Sequence, residues 1–274
     1  GRVGYWSATQ RKVVTFNECH LLDPRLQQLT QDFDFQLPDL RKMSLRIGHD
    51  GEPLVALEVN NIEPPSLEVD FPVSVTIVLP NQTTVNLIGE NFVTQLIKGR
   101  EFQISAGCYF HVNPAATEKL IDVVLNYARL NEEMLALELF SGSGVLTAFL
   151  SEAAGEILAV EVNSDGIEDA AVNLDHTENV SLYEAFALDA LATLPFEPEV
   201  IVADPPEEGF TSRLIERIGE KRPVRVVYVS HDVATLARDV KDFKKAGYKL
   251  IEVQPVDSRP HTYYVDCVAL FEEA

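Results

Sequence analysis

The sequence predicts an α/β protein: a doubly wound, mostly parallel sheet over residues 105–274, preceded by a small β-rich domain over residues 1–104. Three observations carry this. From about Asn113 onward, nearly all-apolar strands alternate with amphipathic helices, the pattern of parallel strands joined by crossover helices. The last two strands follow each other with no helix between them, so they must return antiparallel. Before residue 105, by contrast, short alternating or β-branched runs dominate and a single stretch has helical period.

In chain order, that stretch is Pro24–Thr30. The runs are Ser44–Ile47, Leu54–Val59, Val73–Leu79, Thr83–Ile88 and Phe102–Ile104, separated by turn signals such as Gly48-His49-Asp50-Gly51, Pro64-Pro65 and Pro80-Asn81, and they read as antiparallel. Pro114 opens a helix over Ala115–Arg129 whose Leu120, Val123, Val124 and Tyr127 share one face. Strand Leu135–Phe140 leads to helix Val145–Ala153, and Ile157–Val162 to helix Ser164–His176. Val180–Glu184 passes directly to Glu199–Ala203, followed by helix Thr211–Gly219. Val224–Ser230 precedes helix Val233–Ala246, and Lys249–Val253 and Val265–Phe271 close the sheet.

Composition narrows the class. With 46% hydrophobic residues in 274 the chain can bury a core, and no apolar run approaches the roughly 18–20 residues of a membrane span. Three cysteines are too few for a disulfide scaffold, and no signal-peptide pattern opens the chain, so a cytoplasmic setting is expected. The start at Gly1 reads as a fragment edge. Net charge is −21, and the imbalance is uneven: between Arg129 and Arg213 lie eighteen acidic residues and no Lys or Arg. Such a surface argues against anionic membranes and against phosphate backbones, and Lys241, Lys244, Lys245 and Lys249 read as a solvated helix face.

In a doubly wound sheet, ligands bind at the carboxyl ends of the strands. Four successive ends are acidic or glycine-rich here. The first is Glu138-Leu139-Phe140-Ser141-Gly142-Ser143-Gly144, whose glycines admit a close ligand and whose turn opens a helix. Glu161, nineteen residues past Gly142, is placed for ribose hydroxyls; Asp189 follows the third strand, near an adenine amino group; Asp204-Pro205-Pro206 ends the fourth. Together they predict an adenosine site. Because the region lacks basic residues for phosphates, the cationic S-adenosyl-L-methionine suits it better than a dinucleotide or ATP.

These motifs resemble the class I, Rossmann-like methyltransferases that methylate uracil C5 in transfer and ribosomal RNA, over nearly the whole chain. The run Ser105-Ala106-Gly107-Cys108-Tyr109-Phe110-His111-Val112-Asn113 is similar to the family's Ser-Pro-x-x-Phe-Phe-Gln-Val-Asn. Asp204-Pro205-Pro206 resembles its Asp-Pro-Pro-Arg-x-Gly, and Val227–Ser230 with Ala234–Asp239 resembles the surroundings of its nucleophile. Pro260-His261-Thr262 and Cys267–Leu270 are similar to its closing segment. Glu18–Pro24 resembles the last cysteine position of an iron–sulfur motif, whose other cysteines would lie before Gly1; Cys19 alone cannot hold a cluster that needs about four thiolates. The resemblance implies S-adenosylmethionine as cofactor, RNA as acceptor and a covalent reaction. In it, a cysteine thiolate adds to uracil C6, C5 attacks the sulfonium methyl, and a glutamate assists proton removal. By the same resemblance His111, Glu138, Phe140, Ser141, Gly142, Gly144, Glu161, Asp189 and Asp204 line the cofactor.

The catalytic positions depart from that pattern. The nucleophile position holds His231 and the base position Asp266; Glu207 replaces an arginine, His111 a glutamine and Tyr264 a histidine. Cys108 and Cys267 read as packed apolar residues. By the resemblance, His111, His231 and His261 map around the methyl-donor pocket. They offer either a metal-ligand set with a carboxylate or a His231–Asp232 or His231–Asp266 general base. Spacing cannot show convergence, so no metal ligand is assigned. Two functions follow from the sequence: a methyltransferase of this kind, or a protein that keeps the fold and the cofactor in a binding or regulatory role without uracil chemistry.

Overall fold

The computed structural model describes residues 3–274 except residues 8, 34–36, 38, 62–68 and 70–71. The chain divides into two compact units, Gly1–Thr94 and Gln95–Ala274. The turn at Pro64-Pro65 lies outside the described residues.

In the first unit, β1 (Gly4–Ser7) and β2 (Lys12–Thr15) form a hairpin that the sequence pattern does not announce. Helix α1 (Pro24–Asp32) starts where the Asp23 carboxylate accepts from the Arg25 amide. A four-stranded sheet runs β3 (Leu40–Ile47), β4 (Pro53–Val59), β5 (Ser74–Val78), β6 (Thr84–Ile88). The pairs β3–β4 and β5–β6 are antiparallel, but β4 and β5 run parallel, correcting the expectation of an all-antiparallel domain. The reason is length: residues 60–73 separate the two strands, and a parallel pairing needs a connection of about a dozen residues or more. Val55, Leu57, Val75 and Ile77 pack against Leu26 and Leu29 of α1, each contributing roughly 1.5–3 kcal/mol by burial.

Strands β7 (Phe92–Ile97), also unannounced, and β8 (Arg100–Ser105) pair with each other before α2 (Pro114–Ala128). The second unit then follows the expected alternation with one added helix, α5: β9 (Leu135–Leu139), α3 (Val145–Leu150), β10 (Glu156–Glu161), α4 (Ser164–Asn173), β11 (Val180–Glu184), α5 (Ala187–Thr193), β12 (Val200–Ala203), α6 (Ser212–Lys221), β13 (Arg225–Ser230), α7 (Val233–Lys245), β14 (Tyr248–Val256) and β15 (Asp266–Glu273). Helix α5 fills what read as a direct passage between strands. At seven residues it is too short to show a period, although Ala and Leu favour it.

The sheet order is β11-β10-β9-β12-β13-β15-β14. Five strands run parallel, and β15 lies antiparallel to both β13 and β14. The antiparallel last strand therefore sits inside the sheet, and its first residue, Asp266, comes to the carboxyl ends of its parallel neighbours. Tyr228 and Phe271 are fully buried in the sheet and Phe243 of α7 against it, with the Phe210 ring tilted on Tyr228 at 4.6 Å. Among the described residues, no helix is long and apolar enough to cross a membrane.

Candidate active site

Two groups of side chains occupy the carboxyl edge of the sheet. The first surrounds the turn after β9. Phe140, Gly142 and Gly144 all have positive φ (62°, 54° and 78°), so the backbone folds back through the left-handed region before α3 begins. At Gly144 a Cβ would stand 2.9 Å from Leu174 Cδ1, so glycine is required by packing as well as by φ. The Glu161 carboxylate locks the turn: Oε2 accepts from the Gly142 amide at 2.9 Å, and Oε1 from the Val162 and Asn163 amides. Gly166 on α4 makes the approach possible, since a Cβ there would meet the Gly142 carbonyl at 3.3 Å. Sequence reading overlooked Gly166, whose only signal is a glycine just inside a helix start.

Glu138 lies beneath this turn with 1% exposure, and neither carboxylate oxygen has a hydrogen-bond partner. Burial pushes its carboxyl up to about 8; Thr147 nearby moderates the rise without reaching hydrogen-bonding geometry, and Asp204 and Glu161 add to it. Ser141 Oγ and Thr147 Oγ1 are buried and unpartnered too. Buried polar atoms left without partners are rare in folded proteins, which makes this turn a candidate ligand site.

The second group joins three strand ends and a loop. His231 follows β13, Asp204 follows β12, Asp266 starts β15, and His111 precedes α2. Buried Asp169 fixes the start of the His111 loop by accepting from the Ser105 amide (2.6 Å), Ser105 Oγ (2.7 Å) and Gln103 Nε2 (2.9 Å), and Asn113 caps α2 at its far end. Asp232 caps α7, with its carboxylate accepting from the Thr235 amide, and so orients the turn that carries His231. Asp232 is thereby used structurally and does not pair with His231.

The two imidazoles stand between two carboxylates. Asp204 meets His111 Nε2 at 3.0 Å and His231 Nε2 at 2.9 Å; Asp266 meets His231 Nδ1 at 2.9 Å and His111 Nδ1 at 4.0 Å. The His231–Asp204 contact is close but out of line, so neither His231 Nε2 nor Asp204 Oδ1 makes a hydrogen bond. Ser258 Oγ donates to Asp266 at 2.5 Å, and Arg259 approaches it at 3.5 Å while lying over the Tyr264 ring. Burial opposes charging of His231, but Asp204 and Asp266 outweigh it and push its pKa up to about 10. Burial would raise both carboxyls as well; His111 and His231 instead hold Asp204 well below the usual range, and His231 with Ser258 lowers Asp266. Tyr109 lies against both imidazoles, at 5.6 and 5.7 Å.

The candidates from the sequence thus fall into two clusters, Glu138–Gly144 with Glu161, and His111, Asp204, His231 with Asp266. Phe140 turns toward the core, 6.3 Å from Phe210. Asp189 stands apart in the first turn of α5, after a strand two places from β9. His261 is exposed on the turn after β14 and joins neither cluster. Cys108 and Cys267 are buried, as expected of packed thiols. Ser258 and Arg259 escaped the sequence reading, because they reach Asp266 only when β14 and β15 pair.

The tRNA (uracil-5-)-methyltransferase family model matches residues 73–274. An uncharacterized RNA methyltransferase of Caldanaerobacter subterraneus is 36% identical over 200 residues, covering 71% of this chain and 44% of that protein. Another from Oceanobacillus iheyensis is 29% identical over 307 residues, covering 97% and 66%. The chain thus spans less than half the length of several curated relatives it matches. The crystal structure of Pyrococcus abyssi tRNA (uracil-54, C5)-methyltransferase in complex with S-adenosyl-L-homocysteine shares the fold, with a TM-score of 0.67 at 22% identity over 98% of this chain and 71% of that one. With a family model spanning the whole sheet and these relatives beside it, the chain belongs to the tRNA (uracil-5-)-methyltransferase family.

Proposed function

We propose that the protein is an S-adenosyl-L-methionine-dependent RNA methyltransferase whose catalytic chemistry differs from covalent uracil-C5 methylation. The observation that carries the cofactor is the buried, unpartnered Glu138 and Ser141 beside the left-handed Gly142–Gly144 turn. When bound there, S-adenosylmethionine supplies an electrophilic methyl group on a sulfonium centre. Glu138 and Ser141 would take its polar amino-acid end, Glu161 its ribose hydroxyls and Asp189 its adenine edge. The acidic lining favours the cation. The family match supports RNA as the acceptor.

A covalent attack on C6 requires a free nucleophile at the end of β13. His231 is badly placed to serve: its two ring nitrogens face Asp204 and Asp266, each at 2.9 Å, so neither is presented to an incoming base. Asp266 is engaged by His231, Ser258 and Arg259, which leaves it holding the imidazole rather than removing a proton. That observation also favours a second reading, a cofactor-binding or regulatory protein of the same fold without methyl transfer.

Calorimetric titration with S-adenosylmethionine and S-adenosylhomocysteine tests the cofactor half. One site per chain is expected, and Glu161→Ala should weaken it at least about tenfold by releasing the Gly142 turn. Absence of binding to either compound defeats the proposal. Methyl transfer from labelled cofactor to structured RNA separates the readings: incorporation supports the enzyme, and binding without incorporation supports the second. Salt-sensitive mobility shifts report the RNA contact directly.

A further inference from the structure

The geometry points to a divalent transition-metal site formed by His111, His231 and Asp266, with Asp204 as the carboxylate behind both imidazoles. Each of the three offers one ligand atom, and those atoms lie within 4.8 Å of one another. On the Asp266 side, the Nδ1 atoms of His231 and His111 stand 2.9 and 4.0 Å from its two oxygens. A tetrahedral ion with bonds of about 2.0–2.2 Å separates its ligand atoms by about 3.3 Å, between the two observed spacings.

The other side of the rings makes the arrangement specific. A single carboxylate, Asp204, faces Nε2 of both histidines at 3.0 and 2.9 Å. An ion would displace the proton now shared by His231 Nδ1 and Asp266 at 2.9 Å; with each Nε2 then carrying its hydrogen toward Asp204, both Nδ1 lone pairs face the ion. This is how metal-binding imidazoles are oriented: one nitrogen on the ion, the other donating to a carboxylate. Asp266 is in turn held by Ser258, so the carboxylate is fixed before an ion arrives.

A second, independent observation concerns unmet bonding. His231 is 4% exposed, yet its Nε2 and the facing Asp204 Oδ1 sit 2.9 Å apart without a hydrogen bond. The pair is too close to admit water and is misaligned for direct donation. Charge agrees as well: Asp204, Asp266 and Glu207 act on Tyr109, which packs against both imidazoles, with Arg259 opposing them. Two imidazoles and one carboxylate are the donor set of an ion such as zinc, cobalt or nickel rather than magnesium or calcium, and three protein ligands leave a fourth position for water or an acceptor oxygen. The resemblance also sets His111 and Asp204 beside the cofactor, but Glu138, Ser141 and Glu161 give the ion no donor, so the two ligands can be tested separately.

The test uses untagged protein, stripped with chelator and titrated with zinc chloride by calorimetry and with cobalt chloride by visible absorption. Expected are one ion per chain and the d–d bands of a low-coordinate cobalt centre. His111→Ala and Asp266→Ala should abolish binding, Asp204→Asn should weaken it about 10–100-fold, and His176→Ala, remote and exposed, should leave it unchanged. Circular dichroism reports whether each variant is folded; His111 is the least buried ligand, so its variant keeps the comparison available should Asp266→Ala unfold. Wild-type protein that takes up less than a fifth of an equivalent, or a His111→Ala variant that binds as well as wild type, overturns the inference. Parallel titration with S-adenosylhomocysteine keeps the two proposals separate, since either ligand can fail alone.

Discussion

Replacing Glu138 by glutamine should make the protein more stable as pH rises, although the residue sits at the centre of the candidate cofactor site. Glu138 is 1% exposed, its two oxygens are unpartnered, and burial pushes its carboxyl from 4.5 up to about 8. A carboxyl whose pKa is raised on folding binds its proton more tightly in the folded state. The stability that this one carboxyl contributes is therefore fully present below about pH 4.5 and is lost progressively as pH rises toward 8. At about 1.4 kcal/mol per pH unit, the loss reaches roughly 3 kcal/mol at pH 7 and nears 5 kcal/mol above pH 8. Glutamine has nearly the same volume and no charge to desolvate, so Glu138→Gln escapes it. Urea unfolding of both proteins at pH 5, 7 and 8.5 reads the difference, and the gap between the two should widen by about 2–3 kcal/mol from pH 5 to pH 7. Because every other titrating group is shared, the widening isolates this one. Parallel stability curves would show that Glu138 is solvated or paired in solution and would refute the reasoning.

Other expectations follow from the same geometry. Gly144→Ala places a Cβ 2.9 Å from Leu174 at φ 78° and should cost about 1–3 kcal/mol in thermal or urea unfolding, more than Gly142→Ala, whose Cβ would meet only Cys108 Sγ at 3.9 Å. Asp204→Ala strips the shared partner from two buried imidazoles and should destabilise by about 3–5 kcal/mol in the same assay; a loss under 1 kcal/mol would mean the pairing is not formed. His231→Cys restores the family's nucleophile type but should not produce 5-methyluridine in RNA, measured by mass spectrometry of nucleosides. Asp266 and Glu207 still stand where the family has a glutamate and an arginine, and recovery would show that these two matter little. Tyr228→Phe removes the hydroxyl that donates to buried Asp239 at 3.0 Å and should cost about 1–2 kcal/mol while leaving cofactor affinity unchanged.

The second unit was legible because its physics is local. Apolar runs such as Val200–Ala203, ending in Asp204 and a proline pair, can only be buried strands with an acidic tip. Gly142 and Gly144 announced their own backbone. Legibility failed where the deciding contact is distant in sequence. His111 and Asp204 are 93 residues apart, and nothing in either neighbourhood foretells that one carboxylate faces two imidazoles. Ser258 lies eight residues from Asp266 across a turn, so its role appears only once β14 and β15 pair. The first unit misled for another reason: alternation identifies a strand and its buried face, but says nothing of the direction in which β4 meets β5. Short α5 shows the same limit from the helical side, with too few residues for a period.

The place of β15 has a consequence for biosynthesis. Strands leave the ribosome in chain order, so β14 is made while the position between it and β13 is still vacant. Until Asp266–Glu273 emerges, the growing sheet presents β13 as a naked edge, its apolar Val226, Val227 and Val229 facing no partner strand on that side. The wedge that closes this gap also delivers Asp266, and with it the last corner of the histidine–carboxylate cluster. Closure of the hydrophobic sheet and completion of its reactive edge are thus a single late event in the life of the chain. A nascent protein halted before that point would combine a sticky flank with an unfinished centre, the condition under which chaperones are most needed.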